Sequence, residues 1–393
     1  MLRKILLGII VLIASTIMCL IFIINVRHEK PPSTPAPMES QVYDENFHES
    51  ATQAEAWLQN LYYSHSLPSV SVAVGVGGER VWAGAIGYAN IDNEERATTN
   101  TLYRIGSISK SLTATAAMIL HENKILDIDH LFSTIAPEIA SNWEDFSLYQ
   151  LATHQAGIRH YPDGLGFYQE NFSRTEYPTT EHAVITINQQ ELLFKPGSRF
   201  HYSTYGYTLL ALAMEKAVGK TYERLMEEYV FNVAGMNTTF LDKARTDINH
   251  KAEPYLQIKN SNFRAPEVNL SYKYAGGGYL STPTDIVRFG NALLSGALLS
   301  NDARAELWQV APLNDGNTNR ERYSMGFTNG RDAVGGNHSH GGMSVGGFSY
   351  FVVYPEQQIV IAIATNATPM SGQFSRSEVA LQLAEIFNNP SLH

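Results

Sequence analysis

Residues 106–120 read GSISKSLTATAAMIL, a short polar stretch leading into apolar residues at Leu112, Ala116, Ile119 and Leu120 with helical spacing. The pattern predicts a helix with Ser107 at or near its first turn and Lys110 one turn further on. Side chains three apart share a helix face. The Lys110 amine can therefore reach the Ser107 hydroxyl, stabilise its ionised form and relay its proton, while the helix N-terminus favours developing negative charge. That is the arrangement a nucleophilic serine needs. Ser-x-x-Lys also arises about once by chance in a chain of this length, and then describes a solvated helix start with Ser107 as N-cap.

Outward from this stretch, residues 51–63 carry helical apolar spacing (Ala54, Trp57, Leu58, Leu61). Val70, Val72, Val74 and Val76 then alternate at period two, and residues 81–86 answer them across Gly77 and Gly78, which predicts a hairpin. At the far end residues 348–354 and 359–364 read as two buried strands around a turn at Pro355, and residues 378–387 as a closing helix. Between them, residues 107–294 are mostly helical in period. The expected fold class is therefore α/β (α+β): one sheet from both chain ends, flanked by helices, with a mainly helical lobe at roughly 120–275 inserted. No repeat at solenoid or propeller periods is present.

The chain of 393 residues is 44% apolar and 17% charged, with 29 Gly and 16 Pro, which excludes collagen, wholesale disorder and a coiled-coil rod. Its net charge of −10 repels phosphate backbones, so no nucleic-acid partner is expected. Residues 5–24 form a charge-free apolar run of bilayer-spanning length after Arg3 and Lys4, and no A-x-A-like cleavage site follows. The expected layout is a cytoplasmic N-terminus (1–4), a membrane anchor (5–24), a Pro-rich tether (25–49, with Pro31, Pro32, Pro35 and Pro37) and a catalytic domain (50–393). By the positive-inside rule that domain lies outside the cytoplasm, with a bacterial inner membrane facing the periplasm as the expected setting. The single cysteine, Cys19, falls in the apolar run, so no disulfide or thiol nucleophile is available to the rest.

Two further segments carry chemistry. Tyr202 stands just before a helical stretch that starts near Leu209; a phenol serves as base near neutral pH only where a cation such as Lys110 lowers its pKa. His338, Ser339, His340, Gly341, Gly342 and Met343 precede the strand near Phe348. Glycines there let another backbone approach, and a strand edge beside a nucleophile supplies N–H groups to an oxyanion. No metal is expected, because no His-Glu-x-x-His helix or clustered Asp accompanies the two histidines. His154 and His160 read as structural hydrogen-bonding residues of a loop. Residues 159–190, with Tyr161, Phe167, Tyr168 and Phe172, are expected to shape the substrate entrance.

Five phrases in order then resemble a known group. They are Ser107-Ile-Ser-Lys110, Leu151 to Gly157, Pro196-Gly197 to Tyr202, Ala275-Gly276-Gly277-Gly278 to Asp285, and His340-Gly341-Gly342. The group is the serine β-lactamase-related family of class C β-lactamases, penicillin-binding DD-peptidases and related esterases. Gly157 to Tyr161, Tyr202 to Thr204 and Ser271 to Lys273 resemble its mitochondrial β-lactamase-like branch. The resemblance spans about residues 51–387 and implies a β-lactamase/DD-peptidase fold with an antiparallel sheet. It also implies a catalytic set of Ser107, Lys110, Tyr202 and His340. In that set Ser107 attacks a carbonyl, Lys110 shuttles its proton and Tyr202 acts as base and then as acid. The N–H groups of Ser107 and Met343 hold the oxyanion, and Thr204, Gly341 and Gly342 contact substrate.

Thr204 replaces an Asn of the penicillin-recognising members, and His340-Gly341 replaces a Lys-Thr pair, which implies weak or no β-lactamase activity. Covalent serine chemistry implies no cofactor. The expected partners are peptide, amide or ester substrates, the membrane through the N-terminal helix, and a homo-oligomer. The competing reading is a non-catalytic, membrane-tethered scaffold or binding protein, able to self-assemble, that kept the fold.

Overall fold

An antiparallel sheet of eight strands is assembled from both ends of the chain in the computed structural model, which describes residues 28–29, 38–162, 165–185, 187, 191–370 and 374–389. Its strands are Glu39–Val42 (β1), Ser69–Val76 (β2), Glu79–Asn90 (β3), Thr328–Arg331 (β4), Gly336–Ser344 (β5), Gly347–Tyr354 (β6) and Ile359–Thr365 (β7), in the spatial order β4-β5-β6-β7-β2-β3-β1, with Glu95–Arg96 pairing off β3. The helices that matter for the site are His48–Ser64 (α1), Ile108–Glu122 (α2), Leu165–Asn171 (α3), Thr204–Val218 (α4), Pro283–Ser295 (α5) and Arg376–Phe387 (α6).

Period-two alternation assigns the two faces of the sheet. Val70, Val72 and Val74 of β2 and Ile361 and Ile363 of β7 pack with Leu58 of α1 and Leu383 and Phe387 of α6. Ala73, Phe351, Val360 and Ala362 join Leu112, Leu209 and Phe289 in the larger core on the opposite face. The registers Ile361↔Val74 and Ala362↔Ala73 keep the two sets apart, because a slip by one residue would exchange them. Each fully buried Val, Ile or Phe contributes about 1.5–3 kcal/mol, so both layers are strongly specified. Helix α5 starts on a Thr282 side-chain cap with Pro283 in its first turn and lies close against β7: a Cβ at Gly290 would sit 2.5 Å from Val360 Cγ1.

The inserted lobe is helical as expected, with short strands as well, among them the hairpin Tyr255–Ile258 and Ser261–Arg264. The tether expected at 25–49 is corrected over residues 39–49, while residues 25–27 and 30–37 lie outside the described residues. Residues Glu39–Val42 pair with Trp82 to Ala85 of β3, the Trp82 indole N–H donates to Ser40 Oγ at 3.0 Å, and α1 begins at His48. An extended segment with no apolar face of its own still joins a sheet by backbone pairing at its edge. The anchor expected at 5–24, Cys19 within it and the residues before it lie outside the described residues. Among the described residues no helix is long and apolar enough to cross a membrane.

One consequence of this topology builds the site. Strand β4 pairs only with residues 336–339 of β5, so the stretch His340 to Ser344 has a neighbour on one side, β6, and an outer edge at the start of α2.

Candidate active site

Ser107 occupies the N-cap position of α2, yet its side chain makes no cap hydrogen bond. Its Oγ lies 3.2 Å from Lys110 Nζ. The nucleophile reading of the Ser-x-x-Lys stretch therefore fits the geometry, and the capping reading does not. Gly106 takes a positive φ of 51° just before it, and a Cβ there would fall 2.5 Å from Met343 N. Glycine thus lets the Ser107 and Met343 backbones converge. Gly342 is squeezed harder still, since its Cβ would lie 1.9 Å from Ile105 O and 2.2 Å from Ser349 Oγ.

The Lys110 side chain is fully buried, and its Nζ also meets Thr204 Oγ1 at 3.1 Å and Gly276 O at 2.5 Å. Among the described residues no carboxylate pairs with it. Burial first, and then the neighbouring Lys273, push its pKa well below the ordinary lysine value. A neutral amine has two N–H bonds and one lone pair. In the neutral form that this shift favours, the Gly276 carbonyl and the Thr204 hydroxyl take the two N–H bonds and the lone pair faces the Ser107 O–H; in the charged form the amine donates to all three oxygens.

Tyr202 also hydrogen-bonds the Ser107 side chain, and Lys110 Nζ stands 4.7 Å from its ring centroid. The expected electrostatics are reversed here. Burial raises the Tyr202 pKa, outweighing the hydrogen bond with Ser107 and the charge of Arg376, so the phenol keeps its proton. Tyr202 therefore stands beside Ser107 as a protonated phenol.

His340 is buried, with its ring centroid 6.2 Å from that of Tyr202. Its Nδ1 lies 2.7 Å from Gly341 O, which can only accept, so Nδ1 carries the proton and Nε2 accepts from the Tyr323 hydroxyl at 3.0 Å. Burial, Lys110 and Arg376 lower its pKa to about 3. It is a neutral ring with both nitrogens engaged, and among the described residues it makes no hydrogen bond to Ser107 or Lys110. Thr204, expected to contact substrate, is instead committed to Lys110 and to the Tyr161 side chain. Gly341 is likewise covered: a Cβ there would lie 2.7 Å from the Arg376 guanidinium carbon.

Arg376, at the start of α6, escaped the sequence reading. Its Nη1 donates to Gly342 O at 2.8 Å, and its guanidinium sits over Phe348 at 4.3 Å. No local signal marks it, since it reaches the cleft from the far end of the chain. Lys273 was visible only as part of a phrase without a role. It is buried, donates to Asn171 Oδ1 at 3.2 Å and has its pKa lowered to about 7, chiefly by burial and then by Arg104. The signal for the Gly276 carbonyl was the glycine triplet. His154 and His160 hold the approach to α4: Nδ1 of the first accepts from Ser203 N at 3.1 Å, and Nδ1 of the second accepts from Thr204 N at 3.2 Å. Ser107, Tyr202, Lys273 and Met343 line a cavity of about 170 Å³ with Tyr161, Phe167 and Phe172; Tyr168, also expected at the entrance, is exposed and does not line it. Among the described residues no group of three His, Cys, Asp or Glu side chains is placed to hold a metal ion.

This sheet, with a serine and a lysine on the helix that enters it and a tyrosine from the inserted lobe, defines the β-lactamase fold of serine hydrolases. The chain belongs to the β-lactamase family, whose model matches residues 52–385. It is 28% identical to the serine beta-lactamase-like protein LACTB, mitochondrial, of Homo sapiens over 83% of this chain and 75% of that one. It is 26% identical to penicillin-binding protein 4* of Bacillus subtilis over 63% of this chain and 57% of that one. Among solved structures, the octameric penicillin-binding protein homologue from Pyrococcus abyssi superposes with a TM-score of 0.71 at 26% identity, covering 86% of this chain and 77% of that one.

Proposed function

We propose that the protein is a serine hydrolase that forms an acyl-serine on peptide, amide or ester carbonyls. The observation that carries this reading is Lys110 Nζ at 3.2 Å from Ser107 Oγ, with both amine hydrogens committed elsewhere. In the proposed sequence the Lys110 lone pair takes the Ser107 proton and Ser107 Oγ bonds the carbonyl carbon. The N–H groups of Ser107 and Met343 then stabilise the oxyanion, each such donor contributing about 10²- to 10³-fold in rate. Tyr202 gives its proton to the departing oxygen or nitrogen, and the Lys110 ammonium returns the serine proton to the Tyr202 oxygen, restoring the free amine. Water then enters and hydrolyses the ester bond to Ser107. Weak β-lactamase activity is part of the proposal. Neutral His340 offers a carboxylate no charge, and Arg376 is occupied by Gly342 O, Ser349 O and the Phe348 ring.

The run at residues 5–24, with Arg3 and Lys4 before it, supports a membrane-anchored enzyme acting on the extracytoplasmic side of a bacterial inner membrane. The octameric archaeal homologue supports a homo-oligomer. The catalytic proposal is tested by intact-mass analysis after exposure to a fluorophosphonate. One covalent adduct on the wild-type chain, absent in Ser107→Ala, is expected. A chain that takes no adduct, or a Ser107→Ala variant that takes the same one, would favour the scaffold reading.

A further inference from the structure

Tyr202 has to keep its hydroxyl at Ser107, yet residues 201–203 lie outside any helix or strand, just ahead of α4. Something else must hold them. His154, in the turn after the short helix Leu148–Ala152, does so from both sides. Its carbonyl oxygen accepts from His201 N at 2.9 Å, and its Nδ1 accepts from Ser203 N at 3.1 Å. The two N–H groups that flank Tyr202 are thus tied to one residue. The imidazole also packs on the Tyr202 ring, with centroids 4.4 Å apart, and Tyr323, Tyr207 and Phe200 close round it at 4.7, 5.4 and 5.7 Å.

His154 keeps this place against two penalties. Its φ of 61° is left-handed, a conformation that disfavours a residue with a side chain by about 1–2 kcal/mol. An N–H only donates, so Nδ1 holds a lone pair and the ring hydrogen sits on Nε2. That nitrogen is buried, and among the described residues nothing accepts from it; an unpaired buried donor costs about 1–3 kcal/mol. Burial, followed by the charge of Lys110, keeps the ring neutral. An apolar side chain would fill the same space without the unpaired N–H. It would not supply the acceptor for Ser203 N–H.

We infer that His154 is a positioning residue for Tyr202: by holding the N–H groups on either side and backing the phenol ring, it keeps the Tyr202 hydroxyl within reach of Ser107 and of the departing atom. The inference rests on the hydrolase reading, in which Tyr202 gives its proton to the leaving group. That proton matters most when the leaving group is basic. A nitrophenolate departs unaided, whereas an alkoxide needs the proton, and a donor misplaced by about 1 Å loses on the order of 10²-fold in rate. Loss of His154 therefore shows in how rate depends on the leaving group, which a general loss of stability leaves unchanged.

The test uses the full chain and the p-nitrophenyl, phenyl and ethyl esters of acetic acid. In His154→Leu, kcat/KM is expected to stay within about threefold of wild type for the p-nitrophenyl ester and to fall about 10²-fold for the ethyl ester. His154→Asn returns a side-chain acceptor and tolerates a positive φ, so it is expected to recover most of that loss. Adding His154→Leu to Tyr202→Phe is expected to change the ethyl-ester rate by less than about twofold, because the group being placed is already gone. Thermal melts show whether each variant is folded, and His154→Ala is read in the same way if His154→Leu is not. An ethyl-ester rate kept in His154→Leu, an equal fall for all three esters, a full further loss in the double variant, or loss of the folded state in both His154→Leu and His154→Ala would each overturn the inference and leave the hydrolase reading intact. Absence of turnover of all three esters together with absence of a Ser107 adduct in the wild type would overturn both.

Discussion

Among the described residues the buried Lys110 and Lys273 have no carboxylate partner, and each holds its position at a cost. A charged Lys273 in an aromatic setting is disfavoured by desolvation, which lowers its pKa from the usual value near 10.5 to about 7. The unfolded chain therefore binds more protons than the folded one between those two values, and folding weakens as pH falls through that window. Below about 7 the penalty is constant. Lys273→Met is expected to stabilise the protein by on the order of a few kcal/mol at neutral pH. The gain should grow as pH drops from about 10 to about 7 and level off below, as read by thermal melts across that range. A gain that is flat with pH would count against a charge penalty. At this scale Ser107 and Lys110 were legible because three-residue spacing on a helix is local information. The proton inventory of Tyr202, the enclosure of Thr204 and the arrival of Arg376 were not, because each depends on burial by distant residues.

The element that builds the cleft is β5, and its fit depends on missing side chains. With the Gly342 backbone pressed on Ile105 O, Gly342→Ala forces β5 and the start of α2 apart. A loss of about 1–3 kcal/mol or more and a marked drop in fluorophosphonate labelling are expected. Gly336→Ala in the same strand, where the nearest atom is Arg331 Nη2 at 3.7 Å, should stay within about 0.5 kcal/mol. Equal effects in the two variants would show that the close approach has no bearing on the site. The sequence marked β2, β3, β6 and β7 plainly through alternating or continuous apolar residues. Strand β5 reads GNHSHGGMS and has no such pattern, so only its glycines announced it. The edge strand β1 was hidden for a related reason: it is paired by its backbone and contributes little to the core.

On the scale of the whole molecule, the two chain ends meet to form one layer, and the helices that cover it are tied together. Ser50 Oγ donates to Ile386 O at 3.2 Å, and the Trp57 indole N–H donates to Gln382 Oε1 at 2.9 Å, joining α1 to α6. The first residue of the large sheet is Glu39, so a chain lacking residues 1–37 is expected to fold, to take the Ser107 adduct at the full-length rate, and to leave membranes at alkaline pH, where the full chain stays bound. A truncated chain that remains with the membrane pellet would contradict an anchor at residues 5–24. The sheet-plus-lobe topology was readable from where strand and helix periods fall along the chain. The meeting of α2, the approach to α4 and β5 in one cleft has no local signature; only the ordered set of short phrases pointed to it.

The central claim is that Lys110 is a free base beside Ser107. The direct measurement is the rate of Ser107 labelling by a fluorophosphonate between pH 7 and pH 9, in the wild type and in Lys110→Met. Burial shifts the Lys110 pKa down, so the amine loses its proton at lower pH than an ordinary lysine and activity is lost as pH falls through the lowered value. The expected result is a rate nearly level with pH in the wild type and about 10²- to 10⁴-fold slower in Lys110→Met. A wild-type rate that climbs about tenfold per pH unit, as an ordinary lysine would impose, or a Lys110→Met chain labelled at the wild-type rate, would contradict it.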